Sequence, residues 1–252
     1  MTSFFLIFHT SKGENMKVEE ILNKIEDYRN NNIHWSKKEI QLPDNGGKFE
    51  VKRFGICNDD NFDKGSFRYY LEFEIINPQG NKGNLVSIMM NPSSETNPNN
   101  NNKIDSTVTN VIRMAYVSGY SKVIILNSFP YINGNGTESL EKNNNSKDSQ
   151  ENKLNKDFIN NFLKANVNNQ DIDILLAWGE NIKNTVEDYS KFLKPYENQN
   201  KIYVYDITKN SFPMHPSPFN KEKVNNALKS KTCLKNVKLK CERRKKIAVE
   251  YK

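Results

Sequence analysis

Apolar residues recur along this chain at two spacings, and the switch between them marks out the elements. From Met16 to Arg29, Val18, Ile21, Leu22 and Ile25 fall three and four apart, which predicts an amphipathic helix. Phe49–Ile56 and Phe67–Ile76 alternate apolar with polar in the manner of strands, and Asn77-Pro78-Gln79-Gly80 closes the second with turn residues. A repeating arrangement follows. Leu85–Met90, Val123–Leu126, Ile172–Ala177 and Ile202–Tyr205 are short apolar runs suited to buried strands. Helical periodicity fills the intervals at Asp105–Ser118, near Leu154–Ala165, and from about Glu180 to Leu193. In the first of these, Val108, Val111, Ile112 and Ala115 share a face.

Buried strands alternating with helices predict an α/β fold, a three-layer α/β/α arrangement on a central, mainly parallel four-stranded sheet, with the N-terminal helix and a β-hairpin preceding it. A chain of 252 residues suits one such domain, expected over residues 16–220. Residues 1–15 show no periodicity and read as a disordered leader, with Met16 an alternative start. Asn133–Gln150, rich in Gly, Asn and Ser, reads as a surface loop.

The net charge of +7 suggests nucleic acid until it is divided along the chain. Lys221–Lys252 holds twelve Lys/Arg and three Glu, a net of +9, so the remaining residues sum to −2. The basic character therefore belongs to the last 32 residues, expected as a helix or tail in which Arg243, Arg244, Lys245 and Lys246 could meet phosphates. A merely solvated end is the alternative. Three cysteines without a CxxC pair, and three histidines, give no disulfide framework and no metal centre. No Walker loop or GxGxxG is present, and no cofactor is expected. Ser93 and Ser94 lack the Gly-x-Ser-x-Gly elbow of a serine hydrolase. No stretch approaches the roughly 18 apolar residues of a membrane span. Phe4–Phe8 is too short for a signal core, so a soluble, cytoplasmic monomer is expected.

In parallel sheets, ligands gather beyond the carboxyl ends of the strands. Here those positions are Asn91-Pro92-Ser93-Ser94, Asn127-Ser128-Phe129-Pro130, Trp178-Gly179 and, past the fourth strand, His215-Pro216-Ser217-Pro218. Taken in this order, they resemble the uracil-DNA glycosylase superfamily. That superfamily has a water-positioning motif after its first core strand, an Asn ending the next, a Trp-Gly or similar after an apolar strand, and a late His-Pro-Ser-Pro loop. Across Arg68–Pro218 the chain also resembles an uncharacterised bacterial and phage domain family with Asn-Pro-Ser, Asp-x-Thr (Asp105-Ser106-Thr107), Asn-x-Phe and Trp-Gly.

The first resemblance implies a DNA glycosylase that flips a pyrimidine and hydrolyses its N-glycosidic bond, with a modified base and phage defence as further expectations and DNA as partner. It gives Asn127 the reading of the base edge, with Phe129 and Ser93 beside it. His215 would donate to the base oxygen that gains charge, and Asn91 would orient the attacking water. Many members have Asp where this chain has Asn91, which leaves Asp105 as a replacement base. Ser217 and Arg113 would contact DNA, and Arg68 is a further candidate for phosphate. The bland readings are a strand-end cap for Asn127, an N-cap for Asp105, a packing role for Trp178 and a Pro-anchored turn for His215. A non-catalytic nucleic-acid binder and an enzyme acting on free nucleosides are the alternative functions.

Overall fold

The computed structural model describes residues 16–32, 36–58, 65–96, 103–133, 149–180, 190–230, 232–242 and 246–252, with isolated positions at 135, 138 and 141–142. The expected leader 1–15, most of the helix expected at Glu180–Leu193, and much of Asn133–Gln150 lie outside these residues.

The short apolar runs form β4 (Lys82–Met89), β5 (Tyr120–Asn127), β6 (Ile172–Leu176) and β7 (Ile202–Val204). They pair in parallel, β4 lying between β5 and β6 with β7 beyond β6. Successive side chains enter opposite cores: Leu85 and Met89 on one face, Val86 and Ile88 on the other. Yet these strands are less than half of the sheet. On one flank β3 (Arg68–Ile76) runs antiparallel to β5, followed by β2 (Lys48–Cys57) and β1 (Ser36–Gln41). On the other, β8 (Lys235–Glu242) runs antiparallel to β7 and is followed by β9 (Lys246–Tyr251).

The described sheet thus has nine strands in the order β1-β2-β3-β5-β4-β6-β7-β8-β9. Five of its eight pairings are antiparallel. This overturns the expected fold built on a mainly parallel four-stranded sheet. The hairpin expected to precede that sheet belongs to it, with Leu71 opposite Ile125 and Glu74 opposite Lys122. Residues 235–251 conceal two further strands behind their charge. Val237 is buried and Leu239 half-buried, while Lys238 and Lys240 between and beyond them are exposed. Lysine on the outer face of an edge hairpin is a common guard against sheet-to-sheet pairing.

Five helices are described: α1 (Val18–Asn30), α2 (Ser106–Val117), α3 (Gln150–Asn166), α4 (Ser190–Asn198) and α5 (Lys221–Lys229). Ile21 and Ile25 of α1, Phe158, Ile159, Phe162 and Leu163 of α3, and Leu193 and Tyr196 of α4 fill one core. On the opposite face α2 buries Val108, Val111, Ile112 and Ala115, and α5 packs on it through Val224 near Met114. Each fully buried Ile, Leu or Phe contributes about 1.5–3 kcal/mol. One buried charge sits in the first core. Glu72 of β3 accepts from Arg29 of α1 at 2.6 Å and from Lys122 of β5 at 2.8 Å, and Tyr70 also donates to it. Burial pushes this carboxyl up, but Arg29 and Lys122 outweigh it and hold it below the usual range.

Candidate functional site

Beyond the carboxyl ends of β4 and β5 lies a cleft of about 390 Å³. Asn91 and Ser93 reach it from the turn after β4, and Asn127 from the end of β5. Asp105 comes from the start of α2, and His215 and Ser217 from the loop beyond β7. Six of the residues singled out in the sequence therefore share one space, although 124 positions separate Asn91 from His215. Arg68 also lines it. Because β3 runs antiparallel to β5, the start of β3 lies beside the end of β5, and the Arg68 N–H donates to Pro130 O at 2.8 Å.

The amide of Asn91 is oriented by its neighbours. Its Nδ2 donates to the Asn133 carbonyl at 2.5 Å, which turns Oδ1 away as the atom no described donor reaches. Asn127 is 2% exposed, and its side chain has no hydrogen-bond partner among the described residues. Its backbone is fixed instead: Asn155 of α3 donates to Asn127 O at 2.9 Å, holding the strand end. A buried amide without a protein partner is unusual, since such groups cost about 1–3 kcal/mol when unsatisfied. The strand-end cap that sequence also permits for Asn127 is thus supplied by Asn155.

Asp105 is an N-cap. Its Oδ1 accepts from the Thr107 and Val108 N–H groups at 2.9 and 3.0 Å, and Oδ2 from Thr96 Oγ1 at 2.9 Å. Both oxygens are committed, so the carboxylate acts by position and charge. Thr96 in turn accepts from Asp105 N, and its carbonyl receives Arg68 Nη1 at 2.6 Å, which stitches the loop after β4 to α2 and β3.

The His215 loop is held from several sides. Tyr205 Oη and Asn220 Nδ2 donate to His215 O at 2.9 and 2.8 Å, and Asn110 of α2 donates to Pro216 O at 2.9 Å. The Trp-Gly step has a clear purpose here. Trp178 is buried in the core, whereas Gly179 adopts φ +79°, and a Cβ there would stand 3.2 Å from His215 Cβ. Its N–H donates to Pro213 O at 3.1 Å. Burial lowers the His215 pKa, and the negative charge of Asp105 only partly opposes this. The imidazole is therefore neutral at pH 7, with one N–H to donate and no described side chain receiving it.

Other expected residues lie elsewhere. Phe129 packs in the core at 2% exposure, away from the cleft. Arg113 commits Nε to Gln41 O at 2.7 Å and Nη1 to Asn110 Oδ1 at 3.3 Å, so it positions the residue that grips Pro216. Arg243, Arg244 and Lys245 lie outside the described residues, and Lys246 opens β9. Sequence reasoning misses Asn133, which reads only as the first residue of a loop, and Phe219. The latter follows the Pro turn and stands fully exposed at the cleft mouth. Among the described residues no group of three His, Cys, Asp or Glu could hold a metal ion, and no helix is long and apolar enough to cross a membrane.

The chain belongs to the family described as protein of unknown function DUF1643, whose model matches residues 68–217. No curated protein matches it. The matched span opens on Arg68 and closes on Ser217, both of which line the cleft.

Proposed function

We propose that this member of the DUF1643 family is a DNA glycosylase-like hydrolase of the cytoplasm, drawing a pyrimidine nucleotide out of the strand and cleaving its N-glycosidic bond. One observation carries the reading. Asn91, Asn127 and His215 converge on one cleft with an amide carbonyl, a whole amide and a neutral imidazole still uncommitted.

The reaction asks for three things. As the bond between C1′ and the base nitrogen breaks, its electron pair moves onto the base and the sugar becomes cationic. Asn127 offers both a donor and an acceptor to the edge of a flipped base. The His215 N–H meets the oxygen on which negative charge collects, an interaction strengthened by burial. Asn91 Oδ1, fixed by the bond to Asn133, accepts from the water that attacks C1′. That water then yields its proton to solvent. A cleft of about 390 Å³ suits a nucleotide. The free aromatic face of Phe219 at its mouth suits a neighbouring base left unstacked by the extrusion. Exposed Lys238 on the edge hairpin, beside Lys240 in its ion pair with Glu250, adds sequence-independent attraction to phosphates.

The test is base release from a panel of duplex and single-stranded oligonucleotides carrying uracil or modified pyrimidines, read as alkali-labile sites. Asn127→Ala and His215→Ala should each lower the rate about a hundredfold with melting no lower than that of the wild type, and Phe219→Ala should weaken duplex substrates most. Absence of any labile site with the wild-type chain across the panel would refute the reading. Truncation of the basic segment is not a usable control, because β8 and β9 belong to the sheet. Lys238→Gln with Lys240→Gln removes charge without removing strands.

A further inference from the structure

The cleft has a floor whose charge the glycosylase chemistry leaves unused. Arg68 is 1% exposed, and a guanidinium stays protonated in a protein. Its Nη1 donates to Thr96 O at 2.6 Å and Ser93 O at 3.3 Å, both neutral acceptors, and its Nε is buried with no partner among the described residues. Among the described residues no carboxylate forms an ion pair with it. Burial lowers its pKa, opposed by Cys57 and then by Asp105; Cys57 is a buried thiol, and the Asp105 carboxylate already serves Thr107, Val108 and Thr96. The charge of Arg68 in turn adds to burial in lowering the pKa of Arg53.

Four residues along the same strand, the protein shows how it neutralises a buried charge that has only a structural task. Glu72 is matched by two cations and a tyrosine hydroxyl. Arg68 has no such match. Its grip on two loop carbonyls accounts for one nitrogen of three, and a neutral donor could make those bonds. A buried, unmatched cation is disfavoured by several kcal/mol unless something negative meets it. The open side of Arg68 is the cleft, where Asn127 also stands without a partner.

We infer that the cleft is an anion site, in which Arg68 meets a negatively charged oxygen of the ligand while Asn127 reads the ring beside it. This deepens the glycosylase reading, on which it rests for the ring, by assigning the charge of what the cleft holds, and it does not require bond cleavage. The shared chemistry is an oxyanion attached to a planar ring system. It can come from a nucleotide phosphate or from the ring oxygen of a deprotonated pyrimidine, the form in which a glycosylase would release its base. A guanidinium suits either, presenting parallel donors to paired or delocalised oxygens.

Calorimetric titration of the full chain with three probes tests this: deoxyuridine as the neutral ligand, deoxyuridine 5′-monophosphate, and 5-nitrouracil, whose ring is anionic at neutral pH. At least one anionic probe should bind about tenfold or more tightly than deoxyuridine, and which one does identifies the source of the oxyanion. Arg68→Met should abolish the preference while leaving deoxyuridine binding in place, and Arg68→Lys should restore part of it. Should Arg68→Met fail to fold, competition on the wild-type chain takes its place: inorganic phosphate should displace the anionic probe, and failure to displace it overturns the inference. Equal binding of all three probes, no binding of either anion, or a folded Arg68→Met that keeps the preference overturns it as well. Base release measured on the same preparation separates the two proposals: release without anion preference removes only this one, and anion preference without release removes only the glycosylase reading.

Discussion

Replacing Gly179 with alanine perturbs the cleft from behind, without replacing any side chain that faces it. The residue sits at φ +79°, where an L side chain is strained by about 1–2 kcal/mol. The new methyl would also stand 3.2 Å from His215 Cβ, so the contact must open by a few tenths of an ångström. Against this, alanine has less freedom in the unfolded chain, which returns about 0.5–1 kcal/mol. With the tight contact added to what remains of the strain, the net loss is about 1 kcal/mol, equivalent to about 2–4 °C in melting temperature for a chain of this size. The contact falls on the His215 side chain while its backbone carbonyl is held by Tyr205 and Asn220, so the imidazole is what shifts. Because misplacing a reacting group by about 1 Å costs about a hundredfold, a few tenths should lower base release about three- to tenfold. The assay is thermal denaturation beside base release, with Gly47→Ala as control. Gly47 has φ +91° and open space around its missing Cβ, so it carries the backbone strain alone. If Gly179→Ala melts with the wild type, or if it releases base as fast as Gly47→Ala, the assigned fit of the Trp-Gly step to His215 is wrong.

Two further outcomes follow from the same loop. Asn110→Leu removes the 2.9 Å donor to Pro216 O and leaves that buried carbonyl unsatisfied, so unfolding in urea should show a loss of about 1–3 kcal/mol; an unchanged midpoint would detach α2 from the His215 loop. His215 has its folded pKa lowered by burial, so between that value and the ordinary one near about 6.5 the unfolded chain binds a proton that the folded chain refuses. Stability is therefore greatest above about pH 6.5, declines as pH falls through this window, and loses nothing more from this group below the folded pKa. His215→Gln should flatten that decline in a pH series of urea titrations, and a variant retaining the full slope would assign it to other groups.

Asn91, Asn127 and His215 were legible in the sequence because each ends a simple local pattern: an apolar run stops, or a proline turn begins, at a side chain able to do chemistry. Strand-end logic needs no knowledge of the partner strands, and the cleft collects these residues even though the sheet is differently built. The setting of Arg68 was hidden for the opposite reason. Only antiparallel pairing between β3 and β5 brings the start of one beside the end of the other, and local periodicity carries no record of which strands pair. Charge concealed β8 and β9, where the inward Val237 and Leu239 were masked by a density of lysine that reads as a tail. Phe129 and Phe219 show a further limit. Both are aromatic residues near a strand end or proline turn, and composition cannot tell that one is buried in the core and the other stands in solvent.

The span shared with the family, residues 68–217, runs from β3 to the loop beyond β7 and omits the antiparallel outer neighbours of those strands, β2 and β8. A fragment cut to those limits would keep every cleft residue named above except Phe219, yet it would bare the backbone donors and acceptors of β3 and β7 along two raw margins. Expressed by itself, such a minimal piece should self-associate through those margins. Anyone trimming this protein for crystallisation or labelling should therefore retain β2 and β8 as selvedges to the cloth.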